Sequence, residues 1–408
     1  MTSLLKNFVI VLLAMVMGAA TVIGYLHFEP AVAQAPLVAS AAQVANPSPS
    51  RQSIFDEDTI EGVYQKVSPA VVYITNHGQQ SSNSPQNRLP QIPGFPRLPQ
   101  QPQPLPQVGT GSGVIIDDQG DILTNNHVVE GANRLDVTLD DGTTIQGTLV
   151  GRDPGNDLAL VKIDPTKAKS KLTVAELGDS SALKPGQLAI AIGNPFGLDH
   201  TVTVGVISAV GRTYSANANG RSIRNMIQTD ASINPGNSGG ALLNSSGAVV
   251  GITSAIESPV RGSVGVGFAV PINTAKQELA DLKAGKTISH PWLGISGTAV
   301  TDSVATQLNV PVGGVYVVQV MPNSPASAAG IQGASRRTSQ QSADQLPTGG
   351  DVILAVDGQK VNKVEEISSY LDTKKPGDTV TITVLRNGAN KDISVTLAEW
   401  PDTLGQNQ

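Results

Sequence analysis

The chain contains no cysteine, and aromatic residues make up only 3% of it. The absence of cysteine excludes disulfides, so the fold must be held together by packing alone. It says nothing decisive about the cellular compartment, because exported proteins without cysteine also exist. Since aromatic side chains are scarce, valine, isoleucine, leucine and alanine must supply the core. The 42 glycines are typical of many short strands joined by tight turns.

Positive charge is not concentrated in any part of the chain. There are 27 lysine and arginine residues against 33 aspartate and glutamate residues, which gives a formal net charge of −6. Proteins that bind nucleic acid present a clustered basic surface, so nucleic acid is not expected as a partner. A length of 408 residues predicts two or three domains.

A long apolar run lies near the N-terminus. Residues 7–26 carry no charge and are mostly apolar, and about 19 such residues can cross a bilayer as a helix. Lys6 on the N-terminal side favours a cytoplasmic N-terminus with the rest of the chain outside. We therefore expect residues 1–28 to be a transmembrane anchor, in a single-pass protein of the cell membrane. The alternative is a signal peptide cleaved after residues 31–33, which would leave a secreted or periplasmic protein.

The first feature with chemical meaning is a serine in a glycine-rich turn. The string NPGNSGG, residues 234–240, presents Ser238 where its hydroxyl is accessible and adjacent backbone N–H groups can converge. A serine hydroxyl becomes a useful nucleophile when a base takes its proton and donors stabilise the developing oxyanion. The alternative is an ordinary turn serine.

A histidine and an aspartate complete this pattern. Of the five histidines, His127 alone follows a strand–turn–strand pattern, at the start of a short predicted helix. Asp157 directly precedes an apolar strand, where an acid can be partly buried and can orient an imidazole. Taken singly, His127 could be a core or capping residue and Asp157 a turn residue. The order His127, Asp157, Ser238 is that of chymotrypsin-like serine proteases.

The strings around these residues make the resemblance specific. TNNHVV, NDLALVKI, GNSGGALLN and GVGFAVPI occur in this order, and with them the chain resembles the HtrA (Deg) family of serine proteases. The resemblance implies a mainly β fold: a chymotrypsin-like double β-barrel over residues 55–284, followed by an α+β PDZ domain over residues 285–400. Residues 29–54 are expected to be a flexible linker.

The resemblance also implies roles for the site residues. His127 would take the proton of Ser238 and return it to the leaving amine, while Asp157 would hold the imidazole tautomer. The N–H groups of Gly236 and Ser238 would form the oxyanion hole. We expect neither a cofactor nor a metal.

The residues just before the serine turn bear on specificity. An acid at this place selects lysine or arginine in trypsin-like enzymes, but residues 231–233 carry no charge. By resemblance, Ile233 and Ile256 would line the S1 pocket, which predicts cleavage after small aliphatic residues such as valine, alanine or isoleucine. Asp230, the nearest acid, is expected to be structural.

The C-terminal part carries a peptide-binding pattern. Trp292, Leu293, Gly294 and Ile295 match the carboxylate-binding loop of PDZ domains. A PDZ domain captures a C-terminal peptide as an added strand while backbone N–H groups hold its carboxylate. The alternative for Trp292 is a packed core residue. The polar insert at residues 332–348 departs from a compact PDZ pattern and leaves the local geometry open.

Helical patterns and two unusual loops complete the predicted organisation. Helices are predicted over residues 56–67 and, from apolar spacing, over residues 272–283. The Gln- and Pro-rich residues 76–108 interrupt the first barrel, as a solvated insert, as a regulatory or oligomer-contacting loop, or as a ligand of proline-binding partners. Residues 211–221 occupy the place of the family's sensor loop. Arg212 and Arg221, near the two ends of this loop, could contact the PDZ domain, or the loop could be an ordinary surface loop.

Together these predictions describe an exported, membrane-anchored serine endopeptidase of protein quality control and the stress response. It would degrade misfolded or tagged envelope proteins and recognise C-terminal peptides through its PDZ domain. The family resemblance implies a homotrimer. The alternative is a chaperone or binding scaffold whose protease domain is latent, with the oxyanion hole unformed.

Overall fold

The computed structural model describes residues 56–79, 106–195, 197, 199–214, 221–254, 263–334 and 346–401. The described chain begins with helix α1 (Glu57–Val67), which confirms the first predicted helix. Val63 and Val67 on one face of α1 are buried in the core, while its acidic first turn, Glu57 and Asp58, suits the positive end of the helix dipole.

The first closed barrel is built from six antiparallel strands in the spatial order β1-β2-β3-β6-β5-β4. Its strands are β1 (Val71–Gln79), β2 (Pro106–Ile115), β3 (Asp121–Thr124), β4 (Ala132–Thr138), β5 (Thr144–Asp153) and β6 (Leu158–Lys162). A short helix, α2 (Asn126–Val129), follows β3. Alternate side chains fill the barrel, Ile74, Ile122 and Val161 among them. Most of the Gln- and Pro-rich insert, residues 80–105, lies outside the described residues.

The second closed barrel repeats this architecture in the order β10-β11-β12-β9-β8-β7. Its strands are β7 (Leu188–Gly193), β8 (Thr201–Tyr214), β9 (Ile223–Thr229), β10 (Ala241–Leu243), β11 (Val249–Ser254) and β12 (Gly267–Pro271). A continuous apolar cluster joins the barrels, with Leu123 and Leu160 from the first and Ile190 and Ile252 from the second. The two barrels are therefore packed against each other through a shared apolar core.

Helix α3 (Ile272–Lys283) closes the double barrel and confirms the second predicted helix. Ile272, Ala275 and Leu282 are buried on one face of it, as the apolar spacing predicted. At its C-terminal end, Lys283 Nζ lies 2.5 Å from Asp117 Oδ2 in the first barrel.

A smaller α+β domain follows, which confirms the predicted fold class. A five-strand path in the order β14-β15-β16-β18-β19, with β17 paired to β16, forms its main sheet, and β13 pairs with β20. The strands are β13 (Pro291–Trp292), β14 (Ile295–Ala299), β15 (Val315–Val320), β16 (Val352–Val356), β17 (Gln359–Lys360), β18 (Thr379–Arg386), β19 (Ala389–Thr396) and β20 (Ala398–Glu399). The helices are α4 (Asp302–Leu308), α5 (Pro325–Ala328) and α6 (Val364–Leu371).

The prediction of a single-pass membrane protein is corrected. No helix in the described part of the chain is long and apolar enough to cross a membrane. A crossing needs about 20 apolar residues in one helix, whereas helix α3 has 12 residues and helix α1 has 11. Residues 1–28, from which the anchor was predicted, lie outside the described residues.

Charged residues connect the double barrel to the C-terminal domain. Arg221 Nη2 donates to Asp372 Oδ1 at 3.2 Å, directly after helix α6, and Arg224 also pairs with Asp372. Arg221 Nη1 donates to Gly155 O at 2.7 Å and to Asn156 Oδ1 at 3.0 Å. Of the two alternatives left open for Arg221, the structure therefore shows the contact with the C-terminal domain. Arg212 instead donates to Gln228 within the second barrel.

A buried pair of carboxyl groups lies beside Arg221. Asp153 Oδ1 accepts from His290 Nε2 at 2.7 Å, and Glu278 Oε1 accepts from Asn156 Nδ2 at 2.9 Å. The other oxygens, Asp153 Oδ2 and Glu278 Oε2, are buried without a donor among the described residues. Burial and the negative charge of Asp153 raise the pKa of Glu278 to about 9. At neutral pH Glu278 is therefore protonated and can donate a hydrogen bond to Asp153.

We call this group the interdomain joint. It comprises Asp153, Arg221, Arg224, Glu278, His290 and Asp372. The ligand atoms of Asp153, Glu278 and His290 lie within 4.8 Å of one another, a spacing that would also suit a metal ion. With Glu278 protonated, its carboxyl can donate to Asp153, which gives a partner to oxygens that otherwise lack one among the described residues.

We predict that Glu278 makes stability depend on pH. The pKa of its carboxyl is about 9 in the folded protein against an ordinary value of 4.5, so the folded protein holds a proton that the unfolded chain releases between these values. The free energy of unfolding therefore falls as the pH rises through this window. Glu278→Gln, neutral at every pH, should flatten the dependence in urea unfolding followed from about pH 5 to about pH 9.

The matched control for this prediction is Glu61→Gln, at an exposed position of helix α1. It should keep the wild-type dependence on pH. An unchanged slope in Glu278→Gln would contradict the assignment of the proton.

Candidate active site

Strand pairing brings the predicted histidine and aspartate together. Strands β3 and β6 are antiparallel neighbours, with Thr124 opposite Ala159. The residues that follow β3 therefore meet the residues that precede β6. His127 lies in helix α2 just after β3, and Asp157 is the last residue before β6.

The two side chains are in direct contact. His127 Nδ1 lies 2.8 Å from Asp157 Oδ2 and 3.0 Å from Oδ1, and the His127 backbone N–H donates to Oδ1 at 3.0 Å. Ser254, at the end of β11, donates from Oγ to Asp157 Oδ2 at 3.0 Å. The carboxylate therefore receives donors from both barrels. Asp157 is buried, whereas the side chain of His127 is 43% exposed.

Opposing effects set the pKa of His127. Partial removal of the imidazole from water lowers its pKa, but the hydrogen bond and negative charge of Asp157, aided by the charge of Glu130, outweigh this effect. The pKa of His127 is therefore raised above the ordinary value of 6.5. Since Nδ1 faces the carboxylate, Nε2 is the nitrogen left to exchange a proton.

The serine turn lies between β9 and β10 and is tied to both barrels. Gly239 N–H donates to Thr253 O at 2.8 Å in the second barrel, and Ser112 N–H from β2 donates to Ser238 O at 2.7 Å. The Ser112 hydroxyl also donates to Gly236 O at 2.7 Å. The backbone on either side of Ser238 is therefore held from two directions.

Two glycines in this turn cannot carry a side chain. Gly236 has φ +99°, and a Cβ there would lie 2.4 Å from Pro195 Cβ. Gly239 has φ +82°, and its Cβ would lie 2.1 Å from Ser112 O. Both positions combine a left-handed backbone with close packing, and only glycine satisfies both conditions.

The structure describes one of the two residues predicted to line the S1 pocket. Ile233 is buried and packs so closely on β12 that a Cβ at Gly267 would lie 2.6 Å from Ile233 Cγ1. Ile256 lies outside the described residues. Asp230 Oδ1 accepts from the Val206 N–H at 2.7 Å, which confirms its structural role.

The predicted carboxylate-binding loop joins the two sheets of the C-terminal domain. The ring of Trp292 is buried and meets Trp400 edge-on at a centroid distance of 6.4 Å, so its side chain is a packed core residue. Leu293 is also buried, and Ile295 begins β14. Gly294 has φ +83°, and its carbonyl accepts from Met321 N–H at 2.9 Å.

Several residues at the site escaped sequence analysis. Ser254 and Ser112, described above, are joined by Thr124, which donates from Oγ1 to Ser112 O at 2.7 Å, and by Thr253, which donates from Oγ1 to Asn237 O at 2.5 Å. Each contacts a residue distant in sequence. No local signal distinguishes them from other strand serines and threonines.

Comparisons with known proteins agree with this architecture. The family model of the trypsin-like peptidase domain matches residues 111–252, and that of the PDZ domain matches residues 291–397. The chain is 41% identical to Protease Do-like 1, chloroplastic, of Arabidopsis thaliana over 370 residues, which cover 91% of this chain and 78% of that protein.

Two further relatives extend the comparison. Identity is 39% over 340 residues with the periplasmic pH-dependent serine endoprotease DegQ of Escherichia coli (strain K12), covering 82% of this chain and 69% of DegQ. The solved structure of the HtrA-type protease AlgW with decapeptide superposes with a TM-score of 0.64 at 34% identity, covering 84% of this chain and 99% of that one.

We predict that Gly239→Ala destabilises the protein more than a left-handed backbone alone explains. The matched control is Gly265→Ala, because Gly265 has nearly the same φ, +81°, with no atom within 4 Å of its Cβ position. The control should cost roughly 1–2 kcal/mol of unfolding free energy. Gly239→Ala should cost an additional ~1–3 kcal/mol from overpacking against Ser112 O. Equal losses in urea unfolding of the two variants would contradict this account.

Proposed function

The chain belongs to the HtrA (Deg) family of serine proteases, and we propose that His127, Asp157 and Ser238 are its catalytic triad. The observation that carries this proposal is the contact of His127 Nδ1 with both oxygens of the buried Asp157 carboxylate, at 2.8 and 3.0 Å. This contact leaves the other ring nitrogen for the serine. The chain order and the turn that holds Ser238 support the same assignment.

The proposed reaction is acyl transfer to serine followed by hydrolysis. His127 Nε2 takes the proton of the Ser238 hydroxyl as Oγ attacks the scissile carbonyl, and Asp157 stabilises the imidazolium that forms. The backbone N–H groups of Gly236 and Ser238 stabilise the oxyanion. His127 then protonates the leaving amine, and water releases the acyl group by the reverse proton path.

We propose a preference for small aliphatic P1 residues. Asp230, the nearest acid, has a structural contact with the backbone of Val206, and residues 231–233 before the serine turn carry no charge. Ile233, closely packed on Gly267, makes the neighbouring wall apolar and leaves little depth. Ile256 completes this pocket in the proposal.

We further propose that residues 285–400 form a peptide-binding PDZ domain beside a protease domain over residues 55–284. The backbone of the 292–295 loop would hold the C-terminal carboxylate of a peptide added along β14. The protease AlgW was solved together with a decapeptide, which supports peptide recognition here. An exported protein that cleaves misfolded or tagged envelope proteins agrees with the periplasmic relative DegQ. The proposal that the protein forms a homotrimer rests on the family resemblance.

The decisive experiment compares wild type with Ser238→Ala on unfolded casein, with and without C-terminal peptides. Wild type should cleave after valine, alanine and isoleucine, and Ser238→Ala should lose roughly 10³-fold or more of that activity. Ser246→Ala, at an exposed turn, is the matched control and should cleave normally. If wild type never cleaves yet suppresses aggregation or binds the peptides, the protein is a scaffold with a latent protease domain.

We also predict the acidic limb of the pH–rate profile. His127 must be neutral to act as a base, and the raised pKa of its imidazole places the midpoint of kcat/KM above pH 6.5. Glu130→Gln removes one of the charges that raise this pKa. It should therefore move the limb slightly to lower pH without changing the plateau. A wild-type midpoint below pH 6.5 would show that the Asp157 contact is not maintained in solution.

A further inference from the structure

We infer that Asn125 is a positioning residue for the proposed triad: its side-chain amide holds the backbone of Asp157 in the conformation that aims the carboxylate at His127. The inference rests on the proposed function of that pair. It assigns Asn125 no contact with substrate.

The backbone of Asp157 has an uncommon conformation. Its φ is +56°, in the left-handed region that L-residues other than glycine, asparagine and aspartate rarely adopt. Such a conformation persists where surrounding contacts hold it. Because Leu158 already belongs to β6, a return of Asp157 to negative φ would redirect its carboxylate relative to the strand.

Asn125 supplies a contact that fixes this backbone. Its Nδ2 donates to Asp157 O at 2.9 Å, and the residue is fully buried. Two residues later, the His127 N–H donates to Asp157 Oδ1 at 3.0 Å. Residues 125–127 therefore donate hydrogen bonds to Asp157 at two points, its carbonyl and its carboxylate. The imidazole of His127 faces the same carboxylate.

The side chain of Asn125 does not play the helix-capping role that is usual at its position. Asn125 is the N-cap residue of helix α2, where an asparagine side chain usually accepts from a backbone N–H in the first turn. Here the side chain makes no such capping bond. Its oxygen, Oδ1, is buried without a partner in the described chain, which costs free energy. The bond to Asp157 is thus the contact that accounts for a buried amide at residue 125.

Loss of this amide has a directional consequence for catalysis. When Asp157 relaxes, its hydrogen bond and charge support the imidazolium of His127 less well, while the effect of burial on the ring remains. The pKa of His127 should then fall. Substrate binding is unaffected, so kcat should fall while KM stays nearly constant.

The chain offers a matched control one residue away. Asn126 is also an asparagine, is 5% exposed, and likewise has an Oδ1 without a partner among the described residues. Unlike Asn125, its side chain is not among the described donors to Asp157. Asn126→Ala therefore removes a similarly buried amide that has no described contact with the Asp157 backbone.

The experiment compares Asn125→Ala and Asn126→Ala with wild type in the full chain. The titration of His127 is followed by NMR of the imidazole, with the signal assigned through His127→Gln, and kcat and KM are measured on one unfolded substrate. Asn125→Ala should lower the His127 midpoint and reduce kcat roughly tenfold, equivalent to about 1.4 kcal/mol, with KM changed less than about twofold. Asn126→Ala should leave the midpoint at the wild-type value.

The outcomes separate this inference from the proposed function. A wild-type His127 titration in folded Asn125→Ala, or an equal shift in Asn126→Ala, overturns the inference. Asn125→Leu, similar in size but without a donor, replaces the alanine variant if that does not fold. If both fail to fold while Asn126→Ala folds, Asn125 is a structural residue and the inference is also overturned. If wild type does not cleave, the proposed function fails, and the NMR titration still decides the role of Asn125.

Discussion

The carboxylate of Asp157 is the point on which the site depends. It is buried at the edge of the first barrel, yet it accepts a hydrogen bond from Ser254 of the second barrel as well as from His127. A buried carboxylate is tolerated only when its oxygens are satisfied, so the two barrels must be closed on each other for Asp157 to hold its place. The apolar cluster that joins the barrels provides that closure.

The loop that ends in Asp157 also serves the interdomain joint. Asp153, at its start, binds His290 near the beginning of the PDZ domain, and Asn156, directly before Asp157, contacts both Glu278 and Arg221. One loop of the first barrel thus carries the proposed catalytic carboxylate at one end and the joint along the rest. Its geometry is shared between the active site and the attachment of the PDZ domain.

Local patterns in the sequence anticipated a large part of this structure. The helices over residues 57–67 and 272–283 follow from apolar spacing, because a 3.6-residue period is visible without knowledge of the rest of the chain. For Arg221 the family resemblance left two alternatives open, a contact with the C-terminal domain or an ordinary surface loop, and the structure shows the contact. The membrane anchor was not supported: an apolar run shows that a segment can span a bilayer, and the helices of the described chain do not span one.

Short motifs were enough to identify the residues that could form a triad, because these depend on residue type, order and short-range pattern. The double barrel with its PDZ domain followed from the family resemblance that the same motifs carry. The partners of the site residues, in contrast, depend on the folded chain. The serine and threonine donors that fix the turn, the amide of Asn125 on the Asp157 carbonyl, and the proton held by Glu278 all arise between positions far apart in the chain. Burial and proximity create them, and neither is encoded in a local pattern.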